Sequence, residues 1–332
     1  MHKDKKVAVI GGGSWATALV KIISHNCNSI SWWLRSEEAV SYIKKHRHNP
    51  SYLSDVEIEL EKVTPVNSIS DAISEAEIVI LAVPSAFVKE VLVQADPTQF
   101  QNKIIFSAIK GIVPDDLLIV GEFLNQKLNI PISNIGVITG PCHAEEVALE
   151  KLSYLTIACQ DTNKAAMLAG LMNGRYIQTT VSDDIYGTEY SAVIKNIIAI
   201  ASGICHGLGY GDNFQAVLIA NAIQEIKRFL DAVSPITRDI NDSAYLGDLL
   251  VTAYSQFSRN RTFGSMIGKG YPVKSAQMEM NMIAEGYFAV KCIYELNKSY
   301  AVHLPVCETV YRIVYEHKSP RVEMQNLSSI LK

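Results

Sequence analysis

Short, continuous apolar runs alternate with segments of helical periodicity through the first half of the chain. The runs predict strands over Val7–Ile10, Ser29–Trp33, Ile78–Val83, Lys103–Ala108, Gly136–Thr139, Leu155–Ala158 and Tyr176–Thr179. They are apolar throughout instead of alternating, as expected for strands buried on both faces. Strands interleaved with helices predict a mostly parallel sheet with right-handed crossovers. Near Asp183-Asp184 the strand-like runs stop. Beyond that point the periodicity predicts helices over Ser191–Cys205, Ala216–Ala232, Leu249–Ser258, Ala284–Asn297 and Val306–Tyr315. The pattern divides the chain into an α/β domain over residues 1–184 and an all-α domain over 185–332.

Composition narrows the class without choosing a function. With 332 residues, 48% apolar and 19% charged, the chain can build two cores. A net charge of −4 offers no electrostatic case for nucleic acid. The six cysteines, Cys27, Cys142, Cys159, Cys205, Cys292 and Cys307, are dispersed with no Cys-x-x-Cys pair. Neither a metal site nor a disulfide framework is expected, and a reducing cytoplasm is the natural location. Lys3–Lys6 followed by Val7–Ala18 superficially resembles a signal peptide, but three consecutive glycines would break its apolar helix. No uninterrupted apolar run reaches membrane-spanning length, so no integral membrane association is expected.

Gly11-Gly-Gly13-Ser14-Trp15-Ala16 fits G-x-G-x-x-G/A between a predicted strand and a predicted helix. Gly11 permits the tight turn, Gly13 admits a pyrophosphate close to the backbone, and Ala16 lets helix pack on strand. The first domain therefore reads as a Rossmann-type dinucleotide-binding domain. At the end of the second strand, where an acidic residue would bind a ribose 2′-hydroxyl, stand Arg35 and Ser36. A guanidinium matches phosphate geometry, so NADP or NAD is expected, with NADPH favoured. The alternative is a solvated surface arginine. Pro84-Ser85, Lys110-Gly111 and Gly140-Pro141 follow later strands, along the edge where open α/β sheets bind ligands.

Lys195 is the only residue with a formal charge at neutral pH between Tyr190 and Gly211. A buried ammonium shifts its pKa or acquires a partner, which makes Lys195 a candidate general acid/base. The alternative is a stem that snorkels to water. Asp248 and Thr252, four apart, share a helix face, and Ser258-Arg259-Asn260-Arg261 supplies donors suited to a phosphate. A basic helix end complementing its own dipole would explain the same run.

These motifs together resemble the NAD(P)-dependent glycerol-3-phosphate dehydrogenase family, bacterial type, over nearly the whole chain. To those already quoted are added His48-Asn-Pro-Ser-Tyr-Leu53, Val83-Pro-Ser85, Lys110-Gly-Ile112, Gly140-Pro-x-x-Ala-Glu145, Gly207-Leu-Gly-Tyr-Gly-Asp-Asn213 and Gly247-Asp-Leu249. The resemblance implies interconversion of dihydroxyacetone phosphate and sn-glycerol 3-phosphate, the latter feeding phospholipid synthesis. It implies Lys195 as acid/base at the C2 oxygen, with Lys110, Asp248 and Thr252 in the surrounding polar network. Gly140, Cys142, Asn196, Ser258, Arg259 and Asn260 fall on substrate-binding positions. Lys110 and Arg259 would contact cofactor as well, beside Ser14, Trp15, Arg35, Ala144, Ile283 and Glu285. Cys142 and His143 depart from the family, which has Ser or Thr and then Phe there, and a thiol is the weaker hydrogen-bonding group. A related 3-hydroxyacid or 6-phosphogluconate type dehydrogenase shares the two-domain plan, and a non-catalytic NADP sensor is the reading from another class. The chain leaves room for a homodimer.

Overall fold

Each of the seven expected strands forms in the computed structural model, which describes residues 4–280 and 283–332. The strands are β1 (Lys6–Ile10), β2 (Ser29–Trp33), β3 (Val63–Val66), β4 (Ile78–Leu81), β5 (Ile104–Ser107), β6 (Ile112–Val113), β7 (Leu118–Ile119), β8 (Ile135–Thr139), β9 (Ser153–Cys159) and β10 (Ile177–Ser182). Eight of them form one sheet in the order β10-β9-β8-β5-β4-β1-β2-β3. The pairs from β3 across to β8 are parallel, as are β9 and β10. β8 and β9 run antiparallel, so the sheet is mostly and not wholly parallel. Periodicity reports burial, not direction, and could not separate these cases. β3 was not expected because Val-Thr-Pro-Val carries a proline; it is tolerated at the sheet edge, where Pro65 withholds one N–H from the ladder.

The chain forms two compact units, Met1–Ile109 with Val120–Ile185, and Lys110–Ile119 with Tyr186–Lys332. The division drawn from the sequence at 184/185 is thus revised at one place. Residues 110–119 fold with the helices, because the β6–β7 hairpin buries Ile112 and Ile119 in the helical core. In the sheet unit, Val7, Val9, Ile30, Trp32, Ile78, Ile80 and Phe106 lie in a single buried cluster.

In the helical unit, Ile185–Leu208 is the longest helix, at 24 residues, and its most apolar window has a mean hydropathy of 1.4. Length and composition alone would allow it to cross a membrane, yet 83% of that window is buried inside the protein, as for a core helix. Around it run Asp212–Val233, Asp248–Tyr254, Arg259–Gly268, Val273–Glu279, Glu285–Tyr300, Pro305–Val314 and Pro320–Ser328. The single helix expected over Leu249–Ser258 is divided: one helix ends at Tyr254, and Ser258 caps the next by accepting the Arg261 N–H at 3.3 Å.

Candidate active site

The nucleotide fingerprint sits at the switch point of the sheet, where β1 lies between β2 and β4. Gly11 leaves β1 with φ +142°, and a Cβ there would stand 2.4 Å from the Ala82 carbonyl oxygen. No other residue type fits. Gly13 precedes the helix Ser14–Ser24 and, as its N-cap, has no side chain to offer that end; the first turn carries no acidic residue. A Cβ on Gly13 would meet nothing within 4 Å. This open turn suits a pyrophosphate, so these residues fit the dinucleotide the fingerprint implies. Ser14 is buried and Trp15 partly buried beside it.

Two side chains to which the sequence assigned no role brace this turn. Trp32 Nε1 donates to the Gly11 carbonyl at 2.7 Å. Asn49 is 2% exposed, and its Nδ2 donates to the Gly12 carbonyl at 3.0 Å and to Thr17 Oγ1 at 2.9 Å. Its Oδ1 accepts the N–H groups of Ser51 and Tyr52, so the His48–Leu53 segment is folded around this one carboxamide. Asn49→Ala is therefore expected to weaken NADH and NADPH equally, by about tenfold in Kd, since a buried hydrogen-bond pair is lost far from any 2′-substituent. Fluorescence titration of both nucleotides checks this; a change confined to one of them would refute the bracing role.

The remaining sheet-unit residues lie where strands end. Arg35 is exposed after β2. Gly140 follows β8 with φ +115°, and a Cβ there would come within 2.9 Å of the Tyr154 carbonyl oxygen on β9. Cys142 is buried, and Ala144 opens the short helix Ala144–Ala148.

The helical unit gathers the charged candidates. Lys195 and Asp248 form an ion pair with side chains only 3% and 1% exposed. Lys110 Nζ stands 3.8 Å from the other Asp248 oxygen, with its side chain 21% exposed. Snorkelling is thus excluded for Lys195. Burial lowers its pKa to about 7; the Asp248 carboxylate opposes that shift and the Lys110 charge adds to it. Asp248 enters its helix from a π turn over Ser243–Gly247, a distortion frequent at functional sites. Thr252 shares the face, but its hydroxyl donates to the Asp248 backbone carbonyl at 2.7 Å. Asn196 Nδ2 donates to the Lys110 carbonyl at 2.9 Å, tying the β6 end of the unit to the Lys195 helix.

Close helix contact positions the second group. A Cβ on Gly203 would fall 2.1 Å from the Arg261 carbonyl oxygen, and one on Gly264 would fall 2.1 Å from that of Ile200. These glycines press the Arg259–Gly268 helix onto the Lys195 helix. Arg259 occupies the first turn of its helix, not the last. The dipole explanation of the Ser-Arg-Asn-Arg run therefore fails, because a cation at a helix N-terminus opposes the dipole unless an anion joins it. Asn260 Oδ1 accepts the Gly286 N–H at 2.9 Å, which leaves its Nδ2 protons for other partners and anchors the helix that starts at Glu285. Ile283, just before that helix, is 37% exposed.

A sheet with a glycine-rich turn at its switch point and a separate helical unit holding a buried lysine–aspartate pair define the class of two-domain nicotinamide-dependent dehydrogenases. Comparison with known proteins narrows it. The family described as NAD-dependent glycerol-3-phosphate dehydrogenase matches over residues 6–165 by its N-terminal part and 184–325 by its C-terminal part. Glycerol-3-phosphate dehydrogenase [NAD(P)+] of Clostridium botulinum (strain Eklund 17B) is 34% identical over 322 residues, covering 97% of this chain and 96% of that one. The Bacillus subtilis protein of the same name is 33% identical, covering 97% and 94%. The crystal structure of glycerol-3-phosphate dehydrogenase from Coxiella burnetii superposes with a TM-score of 0.91 at 26% identity, covering 98% and 99%. The chain belongs to the NAD-dependent glycerol-3-phosphate dehydrogenase family. The 3-hydroxyacid and 6-phosphogluconate alternatives are set aside by this match over nearly the whole chain.

Proposed function

We propose that this protein interconverts dihydroxyacetone phosphate and sn-glycerol 3-phosphate with NADPH or NADH, supplying glycerol 3-phosphate for phospholipid synthesis. The observation that carries the reading is the buried Lys195–Asp248 pair flanked by Lys110, in a chain that belongs to a family whose members bear that activity in their names. A nicotinamide dinucleotide would supply the hydride for C2 when bound; in the sheet unit Gly11, Gly13, Ser14, Trp15, Arg35 and Ala144 would hold it, and the candidates for contacting it in the helical unit are Lys110, Arg259, Ile283 and Glu285. Lys195 delivers the proton to the C2 oxygen during reduction and takes it back during oxidation. Its charge and that of Lys110 stabilise negative charge developing on that oxygen. Asp248 keeps the lysine oriented, and Thr252 fixes the Asp248 backbone. Ser258, Arg259 and Asn260 hold the phosphate, with Gly140, Cys142 and Asn196 as further substrate contacts. Binding energy at the phosphate then orients the ketone.

The test is oxidation of NADPH and NADH with dihydroxyacetone phosphate, run beside dihydroxyacetone and a 3-oxo acid. Reduction of the 3-oxo acid but not the phosphorylated ketone would overturn the reading. The six cysteines are all buried and free, which supports a reducing, cytoplasmic setting. A net charge of −4 gives no electrostatic support to nucleic acid as partner. Light scattering decides between monomer and homodimer.

The pH dependence follows from Lys195. Its protonated form is needed for reduction and its neutral form for oxidation. With a pKa near the lowered value of about 7, kcat/KM for ketone reduction is expected to be level below that pH and to fall about tenfold per pH unit above it. For glycerol 3-phosphate oxidation the profile should rise to a plateau instead. Profiles of the same sense in both directions would remove Lys195 as the proton carrier.

A further inference from the structure

Ser202 holds the far end of the short helix that carries Asp248. It follows Lys195 by two turns, and residues seven apart differ by only about 20° around a helix, so both face the same neighbour. That neighbour is the Asp248–Tyr254 helix. Lys195 pairs with Asp248 at its first residue, and Ser202 Oγ donates to the Ala253 carbonyl at 2.8 Å in its last turn. The helix has seven residues and starts from a π turn with Gly247 as its N-cap. A helix this short keeps its place by tertiary contact, not by its own hydrogen bonds. The Ala253 carbonyl is one of the groups that a helix end leaves over. Beyond it the chain turns away: the Ser255 N–H returns to the Val251 carbonyl at 3.0 Å, and the Phe257 N–H goes to Ser255 Oγ at 3.1 Å. Buried Ser202 supplies the donor instead. Ser202 is itself held, because Gln215 Nε2 of the Asp212–Val233 helix donates to its carbonyl at 2.9 Å. Gln215 is buried, and its Oε1 has no hydrogen-bond partner among the described residues. Its carboxamide thus accepts the cost of one unsatisfied oxygen and spends its hydrogen bond on Ser202.

We propose that Ser202 is a positioning residue for proton transfer: by fixing the C-terminal end of the Asp248–Tyr254 helix, it sets how closely the Asp248 carboxylate meets the Lys195 ammonium. Without its hydroxyl the short helix is tied to the Lys195 helix at Asp248 alone and pivots there, which loosens the ion pair. Burial and the Lys110 charge both work against the Lys195 ammonium, and the Asp248 carboxylate works for it. A looser pair therefore lets Lys195 give up its proton at lower pH. The inference rests on the dehydrogenase reading for what Lys195 does, and adds the contact that keeps its partner in place.

The test is Ser202→Ala beside Ser202→Thr, which keeps the hydroxyl and adds a methyl. Ser202→Ala is expected to lower kcat for dihydroxyacetone phosphate by about tenfold, the scale of a small misplacement at a reacting group. It should also move the fall in the kcat/KM profile to lower pH by about half a unit, with nucleotide Kd unchanged. Ser202→Thr should recover rate and profile even where its methyl lowers the melting temperature. A Ser202→Ala enzyme within about twofold of wild-type kcat, or one that loses rate while keeping the wild-type pH profile, would overturn the assignment. Asp248→Asn is the background that separates positioning from folding. Adding Ser202→Ala to it should cost less than about a further twofold, because the carboxylate being positioned is gone; a full further tenfold loss would overturn the assignment too. Hydrogen exchange of residues 248–254, measured without ketone, should quicken by about tenfold in Ser202→Ala. Wild type that leaves dihydroxyacetone phosphate unreduced, with exchange quickened in the variant, would overturn the proposed reaction and not the hold of Ser202 on the Asp248 helix. An enzyme active on that ketone whose exchange, rate and profile are all unmoved by Ser202→Ala would overturn Ser202 alone.

Discussion

Lys195→Ala is expected to lower kcat by about a hundredfold to ten-thousandfold, the combined scale of general acid catalysis and charge stabilisation at a developing oxyanion. Nucleotide affinity should stay near wild type, because the glycine-rich turn and its Trp32 and Asn49 braces belong to the sheet unit. The substitution also strips a carboxylate that is 1% exposed of its nearest partner, leaving Lys110 at 3.8 Å. Breaking one side of a buried pair is destabilising by about 3–5 kcal/mol, so the melting temperature must be read beside the rate. Lys195→Met with Asp248→Asn, which removes the charged pair while conserving volume, separates the two effects. A well-folded double variant should remain as inactive as Lys195→Ala. A Lys195→Ala enzyme that kept about a tenth of wild-type kcat would end the acid/base assignment.

Arg259→Ala is expected to reduce kcat/KM for dihydroxyacetone phosphate by at least about thirtyfold, because losing one partner of a desolvated charge pair removes roughly 2–5 kcal/mol. The placement of Arg259 in the first turn of its helix strengthens the expectation. An anion there satisfies the guanidinium and the helix end together. Arg259→Lys should recover only part of the loss, since a point charge cannot reproduce a bidentate fork. Dihydroxyacetone, which lacks the phosphate, gives the sharper comparison. Wild type should reduce it very poorly, and Arg259→Ala should lower that residual rate far less than the rate on the phosphorylated ketone. Equal losses on both substrates would remove Arg259 from the phosphate and leave it acting on the cofactor or the fold alone.

Buried charge in the sequence was an ambiguous signal, and two residues show why. Lys195 lies in an apolar helix and Glu225 in an amphipathic one that also carries Lys227, Arg228 and Asp231, yet both are fully enclosed in the helical unit. Glu225 accepts the N–H groups of Val306 and Cys307, each at 2.9 Å, and so caps the start of the Pro305–Val314 helix. Its carboxyl is pushed up to about 7 by burial, against those hydrogen bonds. One buried charge faces a helix end and holds structure; the other faces Asp248 and Lys110. Spacing along the chain cannot separate them, because the partners lie 81 and 53 residues away.

The sequence by itself determined the strand–glycine–helix turn, the burial of the sheet strands and the change to helix near residue 185. These follow from local rules: glycine where φ is positive, continuous apolar runs where both faces are covered, and a 3.6-residue period where one is. Tertiary structure alone decided four things. It turned β9 antiparallel to β8 and drew residues 110–119 into the helical unit. It gave Asn49 to the glycine-rich turn. It also turned Arg259 toward a helix N-terminus by ending the preceding helix at Tyr254. Each depends on which groups meet after the chain has folded, and a hydrogen bond or ion pair is set by distance in space, with no trace in the periodicity of either partner.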